Sequence, residues 1–171
     1  MQPGASAPGP KAEWFCALEG RGEDAMPSSL TTLLHHVVFS TKERQALTTP
    51  ELRDGLYAYM GGIVRGEGGR LLSIGGTANH VHLLAAFPAA VSVSDMMRRV
   101  KGNSSRWANA GRNFGWQRGY AAFSVSESVA GSVRAYIEKQ EEHHRSRTFE
   151  DEYLALLRKH GIAFDERYIW D

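Results

Sequence analysis

The order of hydrophobic and polar residues predicts regular secondary structure from about residue 30 onward. Residues 33–41, LLHHVVFST, contain Val, Phe and Thr and end in polar side chains, which is typical of a strand. Residues 49–67 predict a helix, because Thr49 and Pro50 form a helix start and apolar side chains recur at helical spacing. These apolar positions are Leu52, Leu56, Tyr59 and Ile63.

The alternation of short apolar runs and helical periods continues to about residue 160. Thr77–Asn79 predicts a tight turn between two strands, which makes them a hairpin. The remaining predicted elements are strands at 70–77 and 80–87, a helix from Ser92 or Ser94 to about Asn109, a strand at 119–126, a helix from Val129 (capped by Ser128) to about His143, and a helix from Glu150 to about His160.

The predicted order β-α-β-β-α-β-α-α indicates a mixed α/β protein of the α+β class. Its first six elements match the ferredoxin-like, or split βαβ, palm. In that arrangement the helices cover one face of an antiparallel sheet. The last two predicted helices then follow the palm as C-terminal additions.

Composition and charge narrow the class of protein without indicating its function. The chain has 171 residues, of which 42% are hydrophobic and 23% charged, and a formal net charge of +1, as expected for one globular domain. No apolar run approaches the roughly 18 residues of a membrane helix, and we find no signal-peptide pattern. We therefore expect no membrane association. The single cysteine, Cys16, cannot form an internal disulfide, which favours a cytoplasmic location.

The first 26 residues differ from the rest of the chain. They are rich in Pro, Gly and Ala and have neither helical nor strand periodicity. This composition predicts a flexible extension over residues 1–26 and one folded domain over residues 27–171.

Candidate chemistry begins with His80 and His82 on the predicted strand 80–87. Side chains alternate across a strand, so the two imidazoles share one face and Val81 lies on the other. Two imidazoles about 7 Å apart, two strand steps, can converge on one divalent ion. A His-x-His pair on a half-exposed strand can also bind nothing, and this alternative stays open.

A second polar cluster follows on the predicted helix from Val129. Tyr136 and Gln140 are one helical turn apart and share a face, which His143 and His144 continue. An apolar stripe of Ala130, Val133 and Ile137 runs beside them. A tyrosine in the core is the common alternative, but a glutamine and histidines beside it favour a polar, functional face. The nearby Glu138, Glu141 and Glu142 are typical of a solvated helix face, although they could be extra metal ligands.

The third feature is a basic segment at residues 98–118, which holds six Arg and Lys residues and no Asp or Glu. Basic side chains neutralise phosphates, and aromatic faces stack on unpaired bases at roughly 1–3 kcal/mol each. We therefore expect a nucleic-acid surface, although a solvated basic helix with its tryptophans in the core is the alternative. The candidate contact residues are Lys42, Arg44, Arg98, Arg99, Lys101, Arg106, Trp107 and Arg118.

Together these segments resemble the HUH single-tyrosine transposases of the insertion-sequence 200/605 family. The resemblance spans residues 33–170 in the expected order, and the ordered set is more specific than the His-x-His pair alone. The matching segments are HHVVFSTKER, GGTANHVHLL, VKGNSSRW, WQRGYAAFSVS, VRAYIEKQEEHHR and LLRKHGIAFDERYIW.

The resemblance implies a mechanism, a cofactor and partners. Tyr136 would be the nucleophile that forms a 5′-phosphotyrosine, and His80, His82 and Gln140 would bind Mg²⁺ or Mn²⁺. The substrate would be single-stranded DNA with hairpins near the element ends. The protein would be a homodimer, in which the tyrosine helix commonly completes the partner's site. The N-terminal extension has no counterpart in the family.

Three other functions compete with this interpretation. A histidine-triad nucleotide hydrolase would need a third histidine where this chain has Leu84. A domesticated, non-catalytic module on the same fold would bind single-stranded or hairpin DNA without cutting it. A hydrolytic metal nuclease would cut DNA and leave no protein on the product.

Overall fold

The computed structural model describes residues 30–170. The predicted extension over residues 1–26 and the start of the domain at residue 27 lie outside these residues. The elements are β1 (Leu34–Ser40), α1 (Pro50–Gly66), β2 (Arg70–Gly76), β3 (His80–Ala86), α2 (Val93–Ala108), β4 (Ala121–Val125), α3 (Glu127–Glu138), α4 (Gln140–His143) and α5 (Phe149–Lys159), with a 3-10 turn at Lys42–Arg44 after β1.

The four strands form one sheet in the order β2-β3-β1-β4. Every neighbouring pair is antiparallel. Consequently β1 and β2 run parallel to each other with β3 between them, which is the split βαβ arrangement. The predicted fold class and sheet are confirmed.

Alternation along β1 and β3 separates two faces of the sheet. Val37 and Phe39 of β1 and Val81 and Leu83 of β3 pack with apolar residues of α1 and α2 in one core cluster. Burying each Leu or Phe side chain of this kind contributes about 1.5–3 kcal/mol. The two palm helices therefore cover one face of the sheet, as predicted.

The C-terminal helices cover the opposite face. Leu34 and Leu84 pack against α3, whereas Val38 and Phe123 pack against α5. On β1, His36 lies between Leu34 and Val38 on this same face. The apolar packing of this face is thus divided into two clusters, with polar side chains between them.

Helix α3 approaches β2 closely at Gly75. A Cβ atom at this position would clash with the backbone carbonyl of Ile137. Glycine is therefore required where the helix lies on the strand, and this contact fixes the height of α3 above the sheet.

The structure corrects the prediction of one continuous helix from Val129 to His143. Helix α3 begins at Glu127, after Ser126 and not Ser128, and ends at Glu138. The N–H of Lys139 bonds the carbonyl of Tyr136, three residues back, at 3.3 Å. This tighter turn separates α3 from α4 and accompanies the burial of Gln140.

Helices α2 and α5 begin with side-chain caps, whereas Thr49 before α1 makes no side-chain cap hydrogen bond. The Ser92 hydroxyl accepts a hydrogen bond from the Asp95 N–H at 3.1 Å, as its predicted capping role requires. Thr148 caps α5 through the Asp151 N–H, also at 3.1 Å. Among residues 30–170, no helix is long and apolar enough to cross a membrane.

Candidate metal centre and tyrosine site

His80 and His82 point from β3 to the face that α3, α4 and α5 cover. Both side chains are 0% exposed, and Val81 lies in the core on the opposite face. Their ring centroids are 5.1 Å apart. The predicted arrangement of the pair is therefore present, but the pair is buried and not half-exposed.

Hydrogen bonds hold the Nδ1 atoms of both imidazoles. His80 Nδ1 lies 2.8 Å from Asn79 Oδ1, and because that oxygen only accepts, the nitrogen donates. His82 Nδ1 lies 2.9 Å from Nε2 of His36. His36 of β1 lies on the same face of the sheet as His82, and this contact positions the His82 ring. Both Nε2 atoms are left facing α4 and α5, as in metal-binding histidines.

A buried carboxylate, Glu152 of α5, lies where these nitrogens converge. It is 1% exposed. Its oxygens lie 3.2 Å from His82 Nε2, 2.9 Å from Gln140 Nε2 and 2.9 Å from His144 Nε2, and they accept a hydrogen bond from the Tyr136 hydroxyl. Our sequence prediction missed Glu152, although it lies three residues after Phe149, on the apolar stripe of α5, where a carboxylate is unusual.

Ligand atoms of His80, His82 and Glu152 all lie within 4.8 Å of one another. Gln140 adds a fourth candidate ligand atom, because its Oε1 lies 3.1 Å from His80 Nε2. Together they form a mixed set of imidazole nitrogen and amide and carboxylate oxygen, which can hold a divalent ion and suits Mn²⁺ better than Mg²⁺. Gln140, predicted as a ligand, lies in this set.

The contact between His80 Nε2 and Gln140 Oε1 has no proton to share. Because His80 Nδ1 carries the donated proton, its Nε2 presents a lone pair to Gln140 Oε1, another acceptor. Exchanging the Oε1 and Nε2 positions of the Gln140 amide would break the hydrogen bond that its NH₂ group donates to Glu152. Two buried acceptors in contact repel unless a cation lies between them. The donor set therefore fits a metal ion.

Electrostatics favour the metal-competent state of each group. Burial lowers the pKa of His80 to about 3 and also lowers that of His82, so both are neutral near pH 7. Burial opposes ionisation of Glu152, but hydrogen bonds from His82, Tyr136 and Gln140 outweigh it and hold the pKa of this carboxyl well below its usual range. A neutral imidazole and an ionised carboxylate are the forms that bind metals.

Tyr136 lies beside this cluster despite the break after α3. Its ring packs edge-on against two imidazoles, with ring centroids 5.9 Å apart for His82 and 6.2 Å apart for His36. Burial, followed by the neighbouring Glu152 carboxylate, raises the pKa of Tyr136. The hydroxyl is therefore protonated at neutral pH and fixed by its hydrogen bond to Glu152.

The other polar residues of this region divide into two groups. His144 donates from Nδ1 to the Arg147 carbonyl at 2.8 Å and contacts Glu152, so it fixes the loop before α5. Glu138 and Glu141 instead form ion pairs with Arg134 and Arg53 at the surface. This is the solvated helix face that the run of glutamates predicts.

The candidate DNA-binding residues lie on several elements. Those of α2 belong to the helix on the face opposite the histidines, and three of its arginines have protein partners. Trp107 is 38% exposed and stacks on Tyr59 at 5.3 Å. The pairs are Arg98 with Asp95, Arg99 with Glu67, and Arg106 with Asn103.

Lys101 differs from the rest of the set. Its ammonium donates to the carbonyl of Gln117 at 2.7 Å and to that of Gly119, and burial lowers its pKa to about 8. Arg44 pairs with Glu150 at 2.9 Å, whereas the side chains of Lys42 and Arg118 are exposed. DNA contact by the eight residues stays a prediction.

Comparison with known proteins identifies the family. Residues 29–140, more than half of the chain, match the family described as Transposase IS200 like. The chain therefore belongs to the IS200-like transposases.

Two curated relatives are transposases as well. The chain is 26% identical over 121 residues to the ISDra2 transposase TnpA of Deinococcus radiodurans, covering 63% of this chain and 84% of the relative. It is 28% identical over 116 residues to the transposase for insertion sequence element IS200 of Salmonella typhimurium, covering 62% and 75%.

Two solved structures share the fold. A transposase candidate from Deinococcus radiodurans R1 superposes with a TM-score of 0.56 at 24% identity, covering 68% of this chain and 97% of that one. A REP-associated tyrosine transposase bound to a REP hairpin gives a TM-score of 0.54 at 13% identity, covering 72% and 74%.

Proposed function

We propose that this IS200-like transposase cleaves and rejoins single-stranded DNA through a 5′-phosphotyrosine on Tyr136, with Mg²⁺ or Mn²⁺ at the buried cluster. The observation that carries this proposal is the position of the Tyr136 hydroxyl. It is held by a carboxylate that also contacts His82 and Gln140. A weak nucleophile is thus fixed beside a set of metal-ligand atoms, which is how covalent phosphoryl transfer is arranged.

The metal would be held by His80, His82, Gln140 and Glu152. When bound, it supplies a Lewis acid that offsets negative charge on the scissile phosphate. His36 and Asn79 keep the Nδ1 atoms of the two imidazoles occupied, so that the Nε2 atoms face the ion. The apolar cover from Phe149, which stacks on His80 at 4.6 Å, limits the access of water.

The chemical step transfers one phosphodiester from sugar to tyrosine. Tyr136 Oη bonds to phosphorus, the bond from phosphorus to O3′ breaks, and the leaving strand ends in a 3′-OH. The Tyr136 hydroxyl donates to Glu152 Oε1, which would accept its proton as the bond forms, and the departing O3′ takes up one proton from solvent to become the 3′-OH. A second 3′-OH then attacks the phosphotyrosine, restores the Tyr136 hydroxyl and rejoins DNA without an external energy source.

The proposed substrate is single-stranded DNA with hairpins at the element ends. A hairpin is bound by a protein with the same fold, and the basic residues of 98–118 supply charge for phosphates. The homodimer and the cytoplasmic location are further parts of this proposal.

A covalent-adduct assay tests the proposal. The full chain is incubated with labelled single-stranded DNA from its own element's ends and Mn²⁺, then run on a denaturing gel. We expect a shifted protein–DNA band that disappears with chelator and in Tyr136→Phe. Tyr168→Phe is the matched control, since this exposed hydroxyl lies outside the site, and it should keep the band. Cleavage without an adduct would indicate a hydrolytic nuclease, and binding alone would indicate a domesticated DNA-binding module.

A further inference from the structure

A cavity of about 610 Å³ opens beside Tyr136. It lies between α3 and α5, next to the edge strand β4, and Val129, Val133 and Leu156 form much of its wall. Its volume is in the range of roughly 300–1,000 Å³ that holds small organic groups. We call it the Tyr136 cavity.

One polar atom lining this cavity lacks a partner. His143 Nε2 is buried and makes no hydrogen bond within residues 30–170. Its nearest carboxylate oxygen, on Glu152, is 3.9 Å away, beyond hydrogen-bond distance. A buried nitrogen without a partner is unfavourable, and a polar group of a ligand in the cavity would satisfy it.

Two cations also line the Tyr136 cavity. Arg147 and Lys159 contribute to its wall, and in the described part of the chain neither pairs with a carboxylate, unlike Arg134, which pairs with Glu138. An apolar hollow with unpaired cations and a buried nitrogen is complementary to a nucleotide. The base is flat and largely apolar on its faces, and its phosphates are anionic.

We propose that the Tyr136 cavity holds the base of the nucleotide on the 3′ side of the scissile phosphate. This inference rests on the proposed function. In an in-line displacement, the attacking and leaving oxygens lie on opposite sides of phosphorus. The nucleotide that leaves with O3′ therefore departs away from Tyr136, whereas the nucleotide on the 3′ side stays tethered to Tyr136, next to the cavity.

Such a subsite would do two things for the reaction. It would hold the tethered nucleotide in place until a second 3′-OH arrives. It would also require that base to be unpaired, because a base in a duplex must leave the stack before a pocket can take it. Selectivity for single strands would then arise next to the nucleophile itself.

The test measures binding of abasic oligonucleotides by full-length Tyr136→Phe protein. The site of adduct formation in wild-type protein defines the scissile phosphate, and a tetrahydrofuran abasic residue then replaces the nucleotide on its 3′ side or its 5′ side. Because one base contact is lost, the 3′ replacement should weaken binding about tenfold, and the 5′ replacement should weaken it much less.

A pair of variants in the same background locates the effect. Ser132 lines the Tyr136 cavity from α3, so Ser132→Phe should weaken binding of the intact strand about as much as the 3′ abasic residue does, without a further loss when the two are combined. Ser128→Phe places the same side chain one turn earlier, outside the cavity lining, and should bind as the parent does.

The outcomes separate this inference from the proposed function. An adduct in wild-type protein, with equal binding of intact and 3′-abasic strands, would overturn the base pocket and leave the transposase mechanism intact. A Ser132→Phe protein that still distinguishes the two strands would do the same. Absence of any Tyr136-linked adduct would overturn the proposed function and this inference with it.

Discussion

The two faces of strand β3 bury different kinds of side chain. Val81 and Leu83 on one face pack against the apolar residues of α1 and α2. His80 and His82 on the other face are buried just as completely, but against Gln140, Glu152 and their hydrogen-bonding neighbours. Adjacent residues of one strand thus serve packing and chemistry separately.

The difference shows how each face is stabilised. Burial of an apolar face stabilises the folded state roughly in proportion to the area removed from water, and it needs no particular partner. A buried polar face costs free energy unless each donor meets an acceptor, and here His80 Nε2 and Gln140 Oε1 are two acceptors in contact. We therefore expect the apolar face to set stability and the polar face to set metal binding and DNA cleavage.

The largest expected effect is that of His82→Ala on the polar face. The loss of one metal ligand should abolish Mn²⁺ binding and lower the rate of adduct formation by about a thousandfold, since a bound metal stabilises phosphoryl transfer by several kcal/mol. Calorimetric titration with Mn²⁺ and gel assays of the adduct measure the two effects. Circular dichroism confirms that the variant is folded, and full Mn²⁺ affinity in a folded variant would refute the assigned ligand set.

The neighbouring substitution Leu83→Ala should have the opposite profile. Removing a fully buried leucine from the α1/α2 face should lower the free energy of unfolding by about 2–5 kcal/mol. The affinity for Mn²⁺ should be unchanged at temperatures where the variant is folded. Urea unfolding and the same Mn²⁺ titration test this contrast. It is wrong if Leu83→Ala lowers the affinity for Mn²⁺ as much as His82→Ala does.

The polar face should also make stability depend on pH. Burial lowers the pKa of His80 and that of His36 from the ordinary histidine value of 6.5 to about 3. Between these values the unfolded state binds more protons, so the free energy of unfolding falls as pH is lowered from about 6.5 towards 3. Below the ordinary glutamate value of 4.5, the lowered pKa of Glu152 acts in the same direction.

Urea unfolding in chelator at several pH values measures this dependence. Each buried histidine can contribute up to about 1.4 kcal/mol per pH unit, and His36→Asn should make the slope shallower. Stability that is constant or rises as pH falls through this window would show that the buried histidines are already protonated in the folded chain.

The smallest expected effect distinguishes two cations of the predicted DNA surface. The exposed Arg118 should contribute one phosphate contact, so Arg118→Ala should reduce the salt dependence of single-strand binding by about 0.7 in the log–log slope. The Lys101 ammonium donates to two backbone carbonyls. We therefore expect Lys101→Ala to leave the salt-dependence slope unchanged and to lower the free energy of unfolding. Binding titrations over a range of salt concentrations decide between them, and a reversed result would place Lys101 on the DNA.

Local patterns were sufficient to predict most of the fold. The alternation in β3 placed His80 and His82 on one face, and the caps at Thr49 and Ser92 predicted two helix starts to within a residue. The break at Lys139 was not predictable, because residues 129–143 keep a helical pattern through it. The break accompanies tertiary contacts of Gln140, which no local pattern contains.

Glu152 shows the same limit at the site. It belongs to the acidic run Glu150–Glu152, and acidic residues in the first turn of a helix usually face solvent and favour the helix dipole. Only the packing of Phe149 and Leu157 against the sheet turns this one carboxylate inward. The ligands on a strand were thus predictable from period alone, whereas the carboxylate that joins them required the tertiary fold.

The most direct test of the account is the identity of the residue that carries DNA. The wild-type adduct is digested with trypsin and nuclease, and its peptides are analysed by mass spectrometry. We predict a nucleotide joined through its 5′ phosphate to the peptide 135–139, AYIEK, whose one tyrosine is Tyr136. A nucleotide on any other peptide, or cleaved DNA with no modified peptide, would contradict it.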